Sequence, residues 1–82
     1  MSIIETITSV PVEHEKNVFG QFDENIKKIE KTLNVTLIAR NGELKIIGSE
    51  AAANKAKSVF MQLVELSKRG NIINAQNVDY AI

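Results

Sequence analysis

The sequence contains no cysteine and no tryptophan, one histidine, one proline and four glycines. Without cysteine there is no disulfide staple, no thiolate zinc site and no cysteine nucleophile, and a reducing cytoplasm is the compartment that fits best. The lone His14 stands between Glu13 and Glu15. Sequence neighbours on a helix point in different directions and do not converge on one ion, so His14 reads as a surface histidine, and neither a metal nor a cofactor is expected. Long apolar runs are missing too. The longest span three residues, as in Leu37 to Ala39, whereas a membrane helix needs about 20. Glu5 interrupts Ile3 and Ile4, and no basic residue precedes them, so the start does not read as a signal peptide. A chain neither exported nor membrane-bound is expected.

An excess of one charge is also lacking, because ten basic residues balance ten acidic ones. No global field draws in nucleic acid. The distribution is uneven, however. Residues 1–25 carry Lys16 against Glu5, Glu13, Glu15, Asp23 and Glu24, while residues 26–82 carry nine basic groups against five acidic ones. Any attraction for an anion has to be local.

What is present is an ordinary globular composition, 44% apolar and 24% charged over 82 residues. That length suits one domain and no more. Ser2 to Val10 is rich in β-branched residues and stops at Pro11, which predicts a first strand whose inward face stays open. Val12 to Phe19 predicts one or two short helical turns ended by Gly20. From Phe22, the residues Phe22, Ile26, Ile29 and Leu33 fall within an arc of about 60° at helical spacing. This predicts a helix that turns Phe22 inward and holds Lys27, Lys28, Lys31 and Glu24 outward, with Glu24 and Lys28 in the favourable i,i+4 order.

From Val35 to Gly48 the period changes to two around Asn41-Gly42, the pair best suited to the positive φ angles of a tight hairpin turn. A two-residue loop sets Arg40 opposite Glu43, Ala39 opposite Leu44, Ile38 opposite Lys45 and Leu37 opposite Ile46. Val35, Leu37, Ala39, Leu44 and Ile46 then form the core side. Thr36, Ile38, Arg40, Glu43, Lys45 and Ile47 form the other. Ser49 is placed to cap a helix from Glu50 to Arg69 that Gly70 stops, with Ala52, Ala56, Val59, Phe60, Leu63 and Leu66 as its stripe and Met61 off it. Asn74 can cap a last short helix, in which Tyr80 is expected to cover the edge of the core. The predicted order is β-α-α-β-β-α plus a short C-terminal helix: an α+β domain, residues 1–82, with a small antiparallel three-stranded sheet and helices on one face.

That order, with "VFGQFDENIKKIEKTLNVTLI", resembles the KH domain. Val18 and Phe19 match the apolar pair before the GxxG loop, Gly20 its first glycine, and Ile26, Lys27 and Ile29 the "IKxI" of the next helix. The run "FGxxDxNI", the hairpin, "GSEAAANKAK" and "NAQNVDYAI" together are more closely similar to the N-terminal KH-like domain of PhoH-like ATPases. The resemblance implies an accessory domain cut from a longer chain. No GxxxxGK[ST] occurs, so ATP hydrolysis would belong to a following domain.

In a KH domain the loop glycines let backbone N–H groups approach phosphates. Here Gly20 stands, but Asp23 occupies the fourth position and Gln21 replaces a cation. For the turn itself the favoured reading is that Gly20 only provides the bend, with Asp23 complementing the helix dipole. The residues expected to meet single-stranded RNA or DNA are Gly20, Gln21, Lys27, Lys28, Lys31 and Arg40, with few phosphates neutralised. The alternative is a domain that docks on the ATPase part or on another subunit through Ile38 and Ile47, the two isoleucines on the sheet face away from the core. No set of residues suggests a catalytic centre.

Overall fold

The computed structural model describes residues 2–82. Strand β1 (Ile3–Ser9) is followed by Pro11, a 3-10 turn (Val12–His14) and helix α1 (Glu15–Phe19). Gly20, at φ 82°, ends α1. A second 3-10 turn (Gln21–Asp23) leads into α2 (Glu24–Leu33), and strands β2 (Thr36–Arg40) and β3 (Glu43–Ser49) follow. The long helix α3 (Glu50–Lys68) and the short α4 (Ala75–Ala81) complete the chain. The architecture is α+β, with a three-stranded antiparallel sheet in the order β1-β3-β2.

The hairpin follows the predicted register, from Arg40 opposite Glu43 to Leu37 opposite Ile46. Asn41 at φ 51° and Gly42 at φ 82° form the tight turn that enforces it. β1 lies along the other side of β3, from Ile3 opposite Ser49 to Ser9 opposite Glu43. That register turns Ile3, Glu5 and Ile7 to the open face and resolves the orientation that the sequence left undecided.

One core joins the inner face of the sheet to the helices. Leu44, Ile46, Ile29, Val59, Phe60 and Leu63 are fully buried in it, and Phe19 meets Phe60 edge to face at 6.3 Å. Ala53 and Ala56, both fully buried, leave the first two turns of α3 without bulk on their inward side. The buried stripe of α3 differs slightly from the expected one. Ala53, Val64 and Ser67 belong to it, while Ala52 and Leu66 are only partly buried at its border. Ala39 is exposed although its partner Leu44, on the central strand, is buried. A short side chain on an edge strand is not reached by the helix layer.

Two polar groups tie distant segments together. Asn17 of α1 donates to Ser67 Oγ at 2.9 Å and to the Asn71 carbonyl at 2.7 Å, and its Oδ1 accepts from Ile73 N–H at 2.8 Å. His14 Nδ1 lies 2.7 Å from the same Ser67 hydroxyl. His14 is therefore half-buried and bonded rather than a free surface residue. The tail between α3 and α4 is thus pinned to α1, and Asn74 with Asn77 forms a reciprocal capping box at the start of α4. At the sheet margin, a Glu30 carboxylate oxygen accepts from Leu37 N–H at 2.9 Å. Among the described residues, no helix is long and apolar enough to cross a membrane.

Candidate functional site

The turn between α1 and α2 departs most from the expected structure. Continuing the helical period back to Phe22 places that ring in the core, yet Phe22 is 84% exposed. The reason is local. Phe22 and Asp23 adopt left-handed backbone angles, φ 55° and 57°, so α2 starts only at Glu24 and the helical phase does not extend to Phe22. Each such residue costs about 1–2 kcal/mol relative to the right-handed region. Two in succession, one of them an aromatic facing water, are maintained by the packing around them.

That packing centres on Gly20 and Asn25. Asn25 is 3% exposed and donates from Nδ2 to the Val18 carbonyl at 3.0 Å, which fixes the start of α2 against the end of α1. A Cβ on Gly20 would come within 2.9 Å of both Asn25 Nδ2 and Glu24 Cγ. The glycine is thus required by contact as well as by its φ of 82°. The amides of the turn are largely committed. Gly20 N–H donates to the Lys16 carbonyl at 3.0 Å, Asp23 N–H to the Gly20 carbonyl at 3.2 Å, and Glu24 N–H to the Gln21 carbonyl. Asp23 makes no side-chain cap to α2.

Beside the turn opens a shallow cleft of ≈ 490 Å³, lined by Glu15, Lys16, Phe19, Gly20, Gln21, Phe22 and Asp23. Two carboxylates against one ammonium make this lining unfavourable to a phosphate. They suit a group that brings donors, such as the exocyclic amine of a base.

The expected cations are not assembled at one place. Lys27 and Lys31 are exposed on successive turns of α2. Lys28 is paired with Asp79 of α4 instead of Glu24. Arg40 shares the parity of Ile38 and lies on the open sheet face, beside Ile7, Ile38, Glu43 and Lys45 in a separate cleft of ≈ 350 Å³. Ile38 is 41% exposed and Ile47 half-buried, set diagonally across the β2–β3 pair. Ile7 and Ile3, 48% and 65% exposed, extend this patch onto β1. Tyr80 is 94% exposed on α4 and does not cover the core edge, a role filled by Val78, Ala81 and Ile82.

Sequence periodicity gave no sign of the exposure of Phe22. A signal did exist in the glycine two positions earlier and in the i, i+3 spacing from Phe22 to Asn25, which places a buried amide where a second core residue would stand. No family model matches the chain, and no curated protein matches it in sequence.

Proposed function

We propose that the chain is a non-catalytic accessory domain of the PhoH-like ATPase type that binds single-stranded RNA or DNA weakly, and that it does so by stacking a base on Phe22 instead of clamping phosphates with backbone amides. The element order agrees with what the resemblance implies. The exposed ring of Phe22, held out by a strained turn immediately before a helix with free lysines, carries the reading. Aromatic platforms next to cationic rims are how sequence-tolerant single-strand binders work, each stacked base contributing about 1–3 kcal/mol. Gly20 and Gln21 shape the cleft, Glu15 and Asp23 accept from a base amine, and Lys27 and Lys31 meet the backbone of the strand. Lys28 is occupied by Asp79, and Arg40 lies on another face, so neither belongs to this site. ATP hydrolysis belongs to a separate domain, and the setting is cytoplasmic.

Anisotropy titrations of labelled single strands at low and moderate salt test this directly. Binding at low salt that falls about fivefold or more in Phe22→Ala is expected. Binding unchanged by that substitution, or none at low salt, overturns the reading. Because the cleft is acidic, oligo(C) or oligo(A) should bind more tightly than oligo(U), whose base has no amine. A second reading, a docking domain without nucleic acid, is favoured by the exposure of Ile3, Ile7 and Ile38 on the uncovered sheet face. Charging Ile38 separates the two, since it would disable docking and leave strand binding intact.

A further inference from the structure

One margin of the sheet is open. Antiparallel pairing sends the backbone groups of successive residues to opposite sides. Val10 N–H bonds to the Gly42 carbonyl at 2.9 Å, in step with the β1–β3 register. The even-numbered residues of β1 therefore bond to β3, and the N–H and C=O groups of Ile3, Glu5, Ile7 and Ser9 face outward. Edge strands this long are usually blunted by lysine, proline or a bulge. β1 offers only Glu5, whose carboxylate is held by Lys45 at 3.1 Å.

Helix α3 runs beneath this margin. A cleft lined by Thr8, Ser9, Met61, Val64, Glu65 and Lys68 joins the strand to the flank of the helix. Met61, 56% exposed, lies in the middle of that flank. Helical spacing puts Lys57 one turn before it and Glu65 one turn after, on the same side. Such a strip is complementary to itself. A two-fold axis passing Met61 runs two copies of α3 antiparallel, brings Met61 against Met61, and sets each Lys57 against the Glu65 of the other copy. Glu65 also accepts from Arg69 Nε at 3.2 Å, through one oxygen of an exposed pair that holds it only weakly. The same axis, normal to the sheet, pairs the two β1 strands antiparallel. Met61 lies at about the level of Ile7 and Thr8, and a register with Ile7 opposite Ile7 sets Glu5 opposite Ser9 instead of a second Glu5.

We propose that the chain forms a homodimer across β1, with two three-stranded sheets joined into one of six strands and Met61 packed beneath the seam. Sedimentation equilibrium of the 82-residue chain should show a monomer–dimer equilibrium. Lys57→Glu and Glu65→Lys should each weaken it about tenfold, because two attractive pairs become two repulsive ones. The double variant Lys57→Glu/Glu65→Lys should recover the original association. Glu65 is exposed and Lys57 half-exposed, and circular dichroism checks that each of the three variants is folded. A chain that stays monomeric up to about 1 mM overturns the proposal, and is the result expected if a following domain occupies this margin instead. A dimer indifferent to the single reversals, or not restored by the double one, also overturns it.

Discussion

Replacing Gly20 by alanine separates a structural glycine from a phosphate-gripping one. Its angles, φ 82° and ψ 172°, lie in a region that side chains disfavour by about 1–3 kcal/mol. The added methyl would also sit 2.9 Å from Glu24 Cγ and from Asn25 Nδ2. Glu24 is exposed and can swing aside. Asn25 cannot, because moving its buried amide breaks the bond to the Val18 carbonyl and leaves two polar groups unsatisfied at about 1–3 kcal/mol. The two effects together come to about 4 kcal/mol, against about 4–12 kcal/mol for the whole domain. In urea unfolding followed by far-UV circular dichroism, Gly20→Ala should lower the midpoint by about 2 M or unfold the chain outright. A variant within about 1 kcal/mol of the parent would refute the reasoning. If that stable variant also lost strand binding, open amides rather than packing would be why glycine stands there.

Phe22→Asn should raise stability by up to about 1 kcal/mol, since asparagine tolerates the left-handed region, while weakening single-strand binding at least fivefold; unfolding and anisotropy read the two effects separately. Binding should depend only shallowly on salt, because two free lysines neutralising two phosphates give a slope of about −1.4 in log K against log salt, and Lys27→Glu/Lys31→Glu should flatten it. Lys28→Ala should leave that slope unchanged and cost at most about 1 kcal/mol of stability, being a partly exposed pair with Asp79. Asn17→Ala should cost about 2–4 kcal/mol and speed hydrogen exchange at the Ile73 amide at least tenfold by about the same logic, because one side chain makes two bonds to the tail, at Asn71 and Ile73, and a third to Ser67 of α3.

The parts of the fold that local chemistry dictates were legible in the sequence. Asn41-Gly42 allows one loop length and one register, so the pairing followed from two residues. Ser49 and Asn74 announced their helices because an N-cap is a contact within one turn. Local patterns failed where distant contacts decide. The 100° template ran through Phe22 because apolar periodicity does not register a left-handed pair, whose geometry is set by Asn25 reaching back to Val18. The bond from His14 to Ser67 spans 53 positions, and no spacing rule covers such a distance. Lys28 had an eligible partner four residues earlier and took Asp79, on a helix at the other end of the chain.

Glu30 has an effect beyond α2. By filling the outward N–H of Leu37 and standing there as a charge, it takes one donor that a fourth strand beside β2 would need and sets a carboxylate in that strand's path. A sheet able to grow from only one flank stops once that flank has met a neighbour. In the proposed dimer, where β1 is already spent on the partner, that charge is what stands against further strand-by-strand growth, the hazard of an exposed edge.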